Sequence, residues 1–309
     1  LNLNSLKINE YKKIDQTYLF KNYNEIIEVG KNCLNNSVKN WSQSDVPISC
    51  SLSGGLDSSL ISAIFAKNSS KKIKTITVGF DGEDKSHDER YFASKISDFL
   101  DSDHQEVVVN PNQILADMDR IFENLCEPYG GSLASWYVYN NLGKNKVIFT
   151  GTGADEVFGN YGKWKNFTLS DFFIKNFYNN FVNQKLSDFK YFYGFMYTKI
   201  FYFKDLSRLF LDNERENDLI YKINSLIDCR SHNPKKIIQE IDFNLQLPWE
   251  FLYITDRLSM LNSIETRTPF LDDEMISFIN SVPNQYMGKI TNSKKLLKDI
   301  ATGFIPLEI

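Results

Sequence analysis

The sequence predicts an α/β fold in which helices flank a parallel sheet, followed by a helical C-terminal part. From Val46 onward, short apolar runs alternate with longer amphipathic stretches, which is typical of parallel strands connected by helices. Beyond Tyr161 these runs stop and the apolar residues follow a helical spacing. We therefore expect an α/β core at 44–162 and a helical portion at 163–309 that completes a substrate site.

The residues ahead of this core are polar and have a helical pattern. Apolar residues recur at helical spacing between positions 23 and 34, namely Ile26, Val29, Cys33 and Leu34. We expect residues 1–43 to form a helical lead-in that packs on the core. Such a segment could also be the remnant of a linker from a preceding domain.

Four apolar runs are the predicted strands, at 47–52, 73–80, 104–109 and 146–150. The predicted helices between them lie at 57–67, at 88–100 and at 111–141, where there is room for two. In open parallel sheets, ligands bind where loops leave the carboxyl ends of the strands. The loops after Leu52, Val78 and Thr150 are therefore the expected binding region.

The C-terminal portion has its clearest helical patterns at 249–264 and 293–302. Its segment 164–210 is rich in Phe and Tyr, interleaved with Lys and Asn. Aromatics with lysines could form a stacking surface for single-stranded nucleic acid. The helical periodicity favours the other interpretation, a helical core in an aromatic-rich chain.

Composition excludes several classes of protein. The 309 residues carry a net charge of −4 and a pI near 5.6, so no overall positive field favours nucleic acid as a partner. The four cysteines are widely spaced, which disfavours a zinc site or a disulfide framework. No apolar run reaches the roughly 18 residues of a membrane span, so we expect a cytoplasmic protein without a membrane partner.

The strongest motif is the string SGGLDSS at 53–59, between the first predicted strand and helix. Gly54 and Gly55 let backbone amides approach phosphate oxygens, and the start of the helix adds partial positive charge. Hydroxyls that can donate to the same oxygens belong to Ser53, Ser58 and Ser59. A capped strand-to-helix turn is the ordinary alternative, but the full string favours a phosphate-binding loop.

Asp57 distinguishes this loop from other phosphate loops. The string lacks the lysine of a Walker A loop and the spacing of the dinucleotide fingerprint. A carboxylate among phosphates repels them unless a divalent cation lies between, so Asp57 predicts Mg²⁺ as a cofactor. A loop that holds pyrophosphate in this way is suited to releasing it whole.

A second motif, TGTGADEVFGNY at 150–161, again follows a predicted strand. Thr150, Gly151 and Gly153 would allow backbone contact with a nucleotide. Asp155 and Glu156 place carboxylates at a helix start, where they suit either Mg²⁺ or a helix cap. Together with the first motif, this string indicates function rather than capping alone.

These strings resemble one family. SLSGGLDSS at 51–59 is similar to the pyrophosphate loop of asparagine, GMP and argininosuccinate synthetases. The second motif resembles the S-G-E-G-[AS]-D-E-x-F-G-G-Y stretch of asparagine synthetases. DRLSM at 256–260, ETRTPFLD at 265–272 and KKLLK at 294–298 match further motifs of that family. From about residue 44 to 309, the chain looks like the synthetase half of a glutamine-dependent asparagine synthetase.

The resemblance implies a fold and a chemistry. The fold would be of the ATP-pyrophosphatase type, adenine-nucleotide hydrolase-like and Rossmann-like. A carboxylate would attack the α-phosphorus of ATP, pyrophosphate would leave into the first loop, and ammonia would displace AMP. ATP and Mg²⁺ are the implied cofactors, with Asp57 and Asp155 as the implied metal ligands.

Individual positions take roles from the same resemblance. Leu52, Val78, Thr150 and Gly151 match nucleotide contacts. Lys294 matches a catalytic lysine that stabilises charge on the α-phosphate, and the catalytic set also includes Asp155, Glu156 and Thr152. At Thr152 the family has a glutamate that is implicated in forming the acyl-adenylate, so this position predicts a difference in the carboxylate that is activated.

The implied partners are a small-molecule carboxylate and ammonia, supplied by a glutaminase domain or subunit that we expect to be absent from this chain. A homodimer is compatible with the sequence. Two alternatives to asparagine synthesis stay open. One is an amide synthetase for another carboxylate, such as a sugar acid, a peptide or a β-amino acid. The other is a non-catalytic ATP-binding module.

Overall fold

A computed structural model describes residues 17–81, 89–126, 129, 131, 133–159, 239–240, 242–287 and 294–306. The aromatic segment at 164–210, and with it much of the predicted helical portion, lies outside the described residues.

The chain divides into two compact units. The first comprises Leu1–Thr152, Arg257–Tyr286 and Lys298–Ile309, and the second comprises Gly153–Asp256 and Met287–Leu297. The predicted segments 1–43, 44–162 and 163–309 stay predictions.

A five-stranded parallel sheet forms the centre of the first unit. Its strands are β1 (Ile48–Ser51), β2 (Lys74–Phe80), β3 (Asp103–Val109), β4 (Val147–Phe149) and β5 (Glu265–Arg267). They lie in the order β3-β2-β1-β4-β5, and every pairing is parallel. The predicted parallel α/β fold is confirmed, because the four predicted strands all form within a residue or two of their expected bounds.

The described helices are α1 (Tyr23–Trp41), α2 (Leu56–Asn68), α3 (Arg90–Leu100), α4 (Pro111–Leu125), α5 (Leu133–Asn140), α6 (Ala154–Phe158), α7 (Tyr253–Leu261), α8 (Asp273–Ser281) and α9 (Lys295–Ala301). They include those that connect the strands of the sheet and α6, which belongs to the second unit. Short 3₁₀ turns occupy Pro269–Leu271 and Asn284–Tyr286. The stretch predicted to hold two helices does contain two, α4 and α5.

One strand was missed in the sequence. The predicted helix at 249–264 is present as α7, but β5 follows it, and a π-helix precedes it at Asp242–Leu252. β5 extends the sheet beyond β4 through the register pairs Val147–Glu265 and Phe149–Arg267. Its sequence, Glu-Thr-Arg, has no apolar residue, so its pairing with β4 is the feature that defines it.

The central strands are buried because helices cover both faces of the sheet. All three residues of β4 are buried, and so are the first three of β1. Phe149 of β4 meets Phe65 of α2 edge to face, with ring centroids 5.1 Å apart. Burial raises the pKa of the Cys50 thiol in β1 to about 12, so this cysteine is a packing residue rather than a nucleophile. A buried sheet therefore supports the loops at its carboxyl end.

The described part of the second unit contains α6 and the π-helix. Gln239 Nε2 donates a hydrogen bond to the carbonyl oxygen of Val157 in α6. Within the described stretches of the whole chain, no helix combines the length and the apolar character needed to cross a bilayer.

Candidate functional site

The sheet has a switch point between β1 and β4. Going along the chain, β2 and β3 lie on one side of β1, whereas β4 and β5 lie on the other. The loops that leave β1 and β4 therefore diverge around the same crevice at the carboxyl end of the sheet, where ligands bind in folds of this kind. These loops begin at Leu52 and at Thr150, and each contains one of the two sequence motifs.

The first loop is held by hydrogen bonds between its own serines. The Ser53 amide donates to Ser58 Oγ over 3.1 Å, and the two hydroxyl oxygens lie 3.0 Å apart. The Gly55 amide donates to Ser53 Oγ over 3.3 Å, and Ser58 Oγ donates to the Gly55 carbonyl over 3.3 Å. The loop is therefore stabilised by its own hydrogen bonds, and it brings amide and hydroxyl groups that suit phosphate oxygens close together.

The glycines of this loop are required by its geometry. Gly54 has a φ of +82°, and a Cβ there would lie 2.6 Å from the Ala93 amide nitrogen and 2.7 Å from Phe92 Cβ of α3. Gly55 is the N-cap of α2 and provides no side-chain cap for its first turn. The amides of that turn are consequently available for an anion, since helix starts leave such donors unsatisfied.

The second loop lies directly against the first. A Cβ at Gly151 would come within 2.8 Å of the Ser58 amide nitrogen and 2.9 Å of Asp57 Cβ. Thr150 continues from β4, and its amide donates to the Arg267 carbonyl of β5 over 3.0 Å. Thr150 Oγ1 donates to Thr152 Oγ1 over 3.1 Å. Asp57, Ser58, Thr150 and Gly151, which are distant in sequence, are therefore neighbours in the first unit.

Leu52 and Val78, the two predicted nucleotide contacts at strand ends, differ in exposure. The Leu52 side chain is buried against Ala93 and Ile96 of α3, so a ligand could meet this residue only through its backbone. Val78 is half-buried near the end of β2. The next residue, Gly79, is covered by a side chain that sequence reasoning missed: a Cβ there would lie 2.3 Å from Arg90 Cδ.

The second unit contains the other predicted catalytic residues. Asp155 and Glu156 lie in the first turn of α6 after Gly153, whose φ is +93°. Glu156 is buried, with 1% exposure. Lys294 Nζ forms an ion pair with Asp155 Oδ1 at 2.9 Å, and its side chain is 10% exposed. The pair brings together two predicted residues 139 positions apart in the chain.

Asp57 is the predicted metal ligand that lies in the first turn of α2. Within the described ranges, no group of three or more His, Cys, Asp or Glu side chains is placed to hold a metal ion. Mg²⁺ in nucleotide sites is bound by one or two carboxylates together with substrate phosphates. Asp57, half-buried at the start of α2, fits that requirement, because it is a hard oxygen ligand beside a phosphate-type loop.

The sequence of the chain matches one known protein family. A sequence profile of the family described as asparagine synthase matches residues 30–309. The chain belongs to the asparagine synthase family. The predicted resemblance is thereby confirmed over a stretch that contains both loops and Lys294.

Curated relatives of this asparagine synthase family member agree with that assignment. Glutamine-hydrolyzing asparagine synthetase 1 of Bacillus subtilis is 24% identical over 306 residues, which cover 91% of this chain and 48% of the relative. Human glutamine-hydrolyzing asparagine synthetase is 33% identical over 153 residues, 44% of this chain and 26% of the relative. The chain spans about half the length of the Bacillus subtilis protein.

Proposed function

We propose that this member of the asparagine synthase family joins nitrogen to a carboxylate by way of an acyl-adenylate formed from MgATP. The observation that carries this proposal is the contact of Gly151 with Asp57 and Ser58. This contact brings two glycine-containing loops together at the switch point of a parallel sheet. There the first loop would bind the phosphates of a nucleotide, and the second loop would contact the nucleotide beside them. Amides and hydroxyls dominate the first loop, as the binding of phosphate oxygens requires.

In the reaction that we propose, aspartate is the carboxylate. A side-chain carboxylate oxygen of aspartate bonds to the α-phosphorus of ATP while the bond from that phosphorus to the β-phosphate oxygen breaks. The electron pair of that bond leaves with pyrophosphate. Ammonia then attacks the acyl carbon, AMP departs and a proton is released, giving asparagine. Glutamine is the source of ammonia that we propose, because the relatives are named glutamine-hydrolyzing.

The residues of the chain would divide this work between them. Ser53, Ser58 and the first-turn amides of α2 would bind the departing pyrophosphate, and Asp57 would hold Mg²⁺ beside it. Lys294 would stabilise negative charge near the α-phosphate, with Asp155 orienting its ammonium group through their 2.9 Å contact. Bound Mg²⁺ would supply the charge neutralisation that lets an anionic carboxylate approach ATP.

Thr152 supports a second candidate function, amide formation on a carboxylate other than aspartate. Its hydroxyl accepts a hydrogen bond from Thr150 at 3.1 Å, so the side chain is short, neutral and turned toward its own loop. A glutamate, which the resemblance leads one to expect there, would carry a negative charge and reach further. An acid with a different shape or charge from aspartate would suit a site with threonine.

The decisive experiment is pyrophosphate release by the full-length protein. MgATP and ammonia are supplied with L-aspartate, with a panel of sugar acids, peptides and β-amino acids, or with no acid. Aspartate-dependent release with asparagine formed supports the first candidate. Release with another acid supports the second candidate, and the new amide is then identified by mass spectrometry.

A loop variant provides the control for this assay. Ser58→Ala removes a hydroxyl that bonds to the Ser53 amide, and it should lower the rate with every acid that is active. If no acid stimulates pyrophosphate release while MgATP still binds, the chain is an ATP-binding module and both enzymatic proposals are wrong.

A further inference from the structure

Arg90, the first residue of α3, lies directly on the backbone of β2. A Cβ built at Gly79 would lie 2.3 Å from both Cδ and Nε of Arg90 and 2.8 Å from its Cγ. The arginine side chain therefore occupies the space that a side chain at position 79 would need. Arg90 is half-buried, so its guanidinium group is held near the carboxyl end of β2.

The first turn of α3 also contacts the first loop. A Cβ at Gly54 would lie 2.6 Å from the Ala93 amide nitrogen and 2.7 Å from Phe92 Cβ. Leu52, where this loop begins, packs against Ala93. The start of α3 thus places Arg90 on β2 while it supports the predicted phosphate-binding loop.

The strand order indicates which part of a nucleotide would reach Arg90. β1 lies between β2 and β4, and the loop after β4 packs on the first loop through Gly151 and Ser58. Arg90 lies on the other side of β1, and its neighbour Gly79 follows Val78, the predicted nucleotide contact. Because adjacent strands are about 4.8 Å apart, β2 and β4 are separated by about 10 Å. A nucleotide extends over such a distance from its phosphates to its base.

The chemistry of a guanidinium group fits a base at this position. The group is planar and always charged, and it stacks on aromatic faces as well as binding anions. The amides and hydroxyls that suit phosphate oxygens are gathered in the first loop, at the end of β1. The position of Arg90 on β2 therefore favours the base over the phosphates.

We propose that Arg90 stacks its guanidinium group on the purine base of the bound nucleotide, and that Gly79 is the residue that lets it lie there. The inference rests on the proposed function, because it requires MgATP to bind at the carboxyl end of the sheet. It adds a base-binding residue from α3, which none of the sequence motifs includes. Arg90 would hold the base and take no part in bond formation.

The test compares a nucleotide with an analogue that has no base, by calorimetry on the full-length protein. MgATP carries the base, whereas magnesium tripolyphosphate offers a chain of three phosphates without it. The informative variants are Arg90→Ala, Arg90→Lys and Gly79→Ala. Arg120→Ala is the matched control, because Arg120 is an exposed arginine of the same unit whose Cζ lies 5.2 Å from the centre of the Trp136 ring. Thermal unfolding shows whether each variant is folded.

We expect Arg90→Ala to weaken MgATP binding about tenfold, since a cation stacked on an aromatic ring is lost. Binding of magnesium tripolyphosphate should be unchanged, because this ligand has no base. Arg90→Lys keeps the charge but not the planar group, so it should restore little of the MgATP affinity. Arg120→Ala should match the wild type with both ligands.

Gly79→Ala tests the contact between the strand and the arginine. The added methyl group would meet Cδ and Nε of Arg90 at 2.3 Å, so it should displace the side chain and weaken MgATP binding to a similar extent. In the double variant Gly79→Ala/Arg90→Ala the methyl group has no arginine to displace, and MgATP affinity should equal that of Arg90→Ala alone. Additive losses would show that the two residues act independently, which contradicts the proposed pairing.

Failure of this inference can be distinguished from failure of the proposed function. If Arg90→Ala and Arg90→Lys leave MgATP binding unchanged, or weaken MgATP and magnesium tripolyphosphate binding equally, Arg90 does not bind the base, and the proposed function stands. A wild-type protein that binds neither ligand overturns both.

Discussion

Gly151 lies against the backbone of Ser58, so closely that a single added carbon would sit 2.8 Å from the Ser58 amide nitrogen. The two residues are 93 positions apart and belong to loops that leave neighbouring strands, β1 and β4. The nearest atoms are a backbone nitrogen and a Cβ, so a change of side-chain rotamer could not relieve a clash with the added carbon. This contact fixes the second loop on the first.

We expect Gly151→Ala to displace one loop from the other. The added methyl group would meet Asp57 Cβ at 2.9 Å as well as the Ser58 nitrogen, and overpacking of this kind destabilises by about 1–3 kcal/mol. MgATP binding should weaken at least tenfold, because the amides of α2 would shift with Asp57 and Ser58. Calorimetric titration with MgATP and thermal unfolding together measure both effects.

Gly143→Ala is the control for this substitution. Gly143 has a φ of +58° and no heavy atom within 4 Å of an added Cβ, so alanine there should lower stability by about 1 kcal/mol through backbone strain alone. Its MgATP affinity should equal that of the wild type. Equal affinities for the Gly143 and Gly151 variants would contradict a role for the loop contact.

Lys294→Met should reduce turnover by about 10²–10³, the range found when one group that stabilises transition-state charge is removed. MgATP affinity should change less than turnover, because the loop contacts of the first unit remain. The measurement is the single-turnover rate of pyrophosphate release at saturating MgATP, with the acid that proves active.

Lys72→Met serves as the matched variant for Lys294→Met. Lys72 also forms an ion pair, at 2.6 Å with Asp101, but both side chains are largely exposed. Its loss should leave turnover unchanged, since exposed pairs contribute little. Unaltered turnover in Lys294→Met would show that the ion pair with Asp155 is structural.

Thr152→Glu should shift acid preference toward aspartate. A glutamate there restores the residue that the resemblance leads one to expect, and we expect the ratio of kcat/KM for aspartate over the preferred acid to rise at least tenfold, the effect of about 1.4 kcal/mol. Thr152→Gln, which has the same length but no charge, separates charge from size. An unchanged acid preference in Thr152→Glu would show that residue 152 does not select the substrate.

Arg267 should be important for stability rather than catalysis. Its Nη1 donates to the Trp41 and Gln43 carbonyls, the latter over 2.8 Å, and thereby joins β5 to the end of α1. Arg267→Met should lower the free energy of unfolding by about 1–3 kcal/mol, because two backbone carbonyls, one of them partly buried, lose a charged donor. Arg267→Lys should restore little of this free energy of unfolding, since one ammonium group cannot reproduce the geometry of the guanidinium group.

Glu265→Gln tests the other contact of Arg267. Glu265 accepts from Arg267 Nε over 2.6 Å but is 60% exposed, so its neutralisation should change stability by less than about 1 kcal/mol. Urea unfolding of the three variants gives the comparison. A larger loss of unfolding free energy for Glu265→Gln than for Arg267→Met would show that the contact with Glu265, not the contacts with the Trp41 and Gln43 carbonyls, provides most of the stabilisation.

His104 should make stability fall at mildly acidic pH. Burial lowers its pKa in the folded protein from the usual 6.5, against the opposite influence of Glu106 and Asp98. The unfolded chain therefore takes up a proton at a higher pH than the folded chain does. The stability that His104 contributes is complete above pH 6.5 and is lost as pH falls from there toward the lower, folded pKa.

The measurement for His104 is the difference in unfolding temperature between the wild type and His104→Asn from about pH 5 to pH 8. Asparagine keeps a polar atom near Thr75 Oγ1, to which His104 Nδ1 lies 2.8 Å away, but it does not titrate. The advantage of the wild type should shrink with acidity. A constant difference in unfolding temperature over this range would exclude His104 as the cause of the loss of stability at acidic pH.

The sequence predicted much of the fold because its elements are signalled locally. Each of the runs that form β1, β2, β3 and β4 contains apolar residues, and β3 ends in three valines. Such a pattern can be recognised without knowing which strands are neighbours. β5 could not be predicted in this way. It is three residues long and polar, and it is a strand only because β4 offers it hydrogen bonds.

The residues of the candidate site likewise differ in whether the sequence signals them locally. The glycines, serines and Asp57 of the first loop could be selected from the sequence, since their residue types and spacing alone indicate phosphate binding. By contrast, the position of Arg90 over Gly79 has no local signal in the sequence.

By itself, the sequence determined the alternation of strand and helix, the residue types of both loops and the family of the protein. These depend on short stretches of chain, in which residue type and spacing act directly on the backbone. Only the tertiary structure decided that Gly151 lies on Ser58 and that Lys294 meets Asp155. Such relationships join residues that are distant in the chain, and packing alone brings them together.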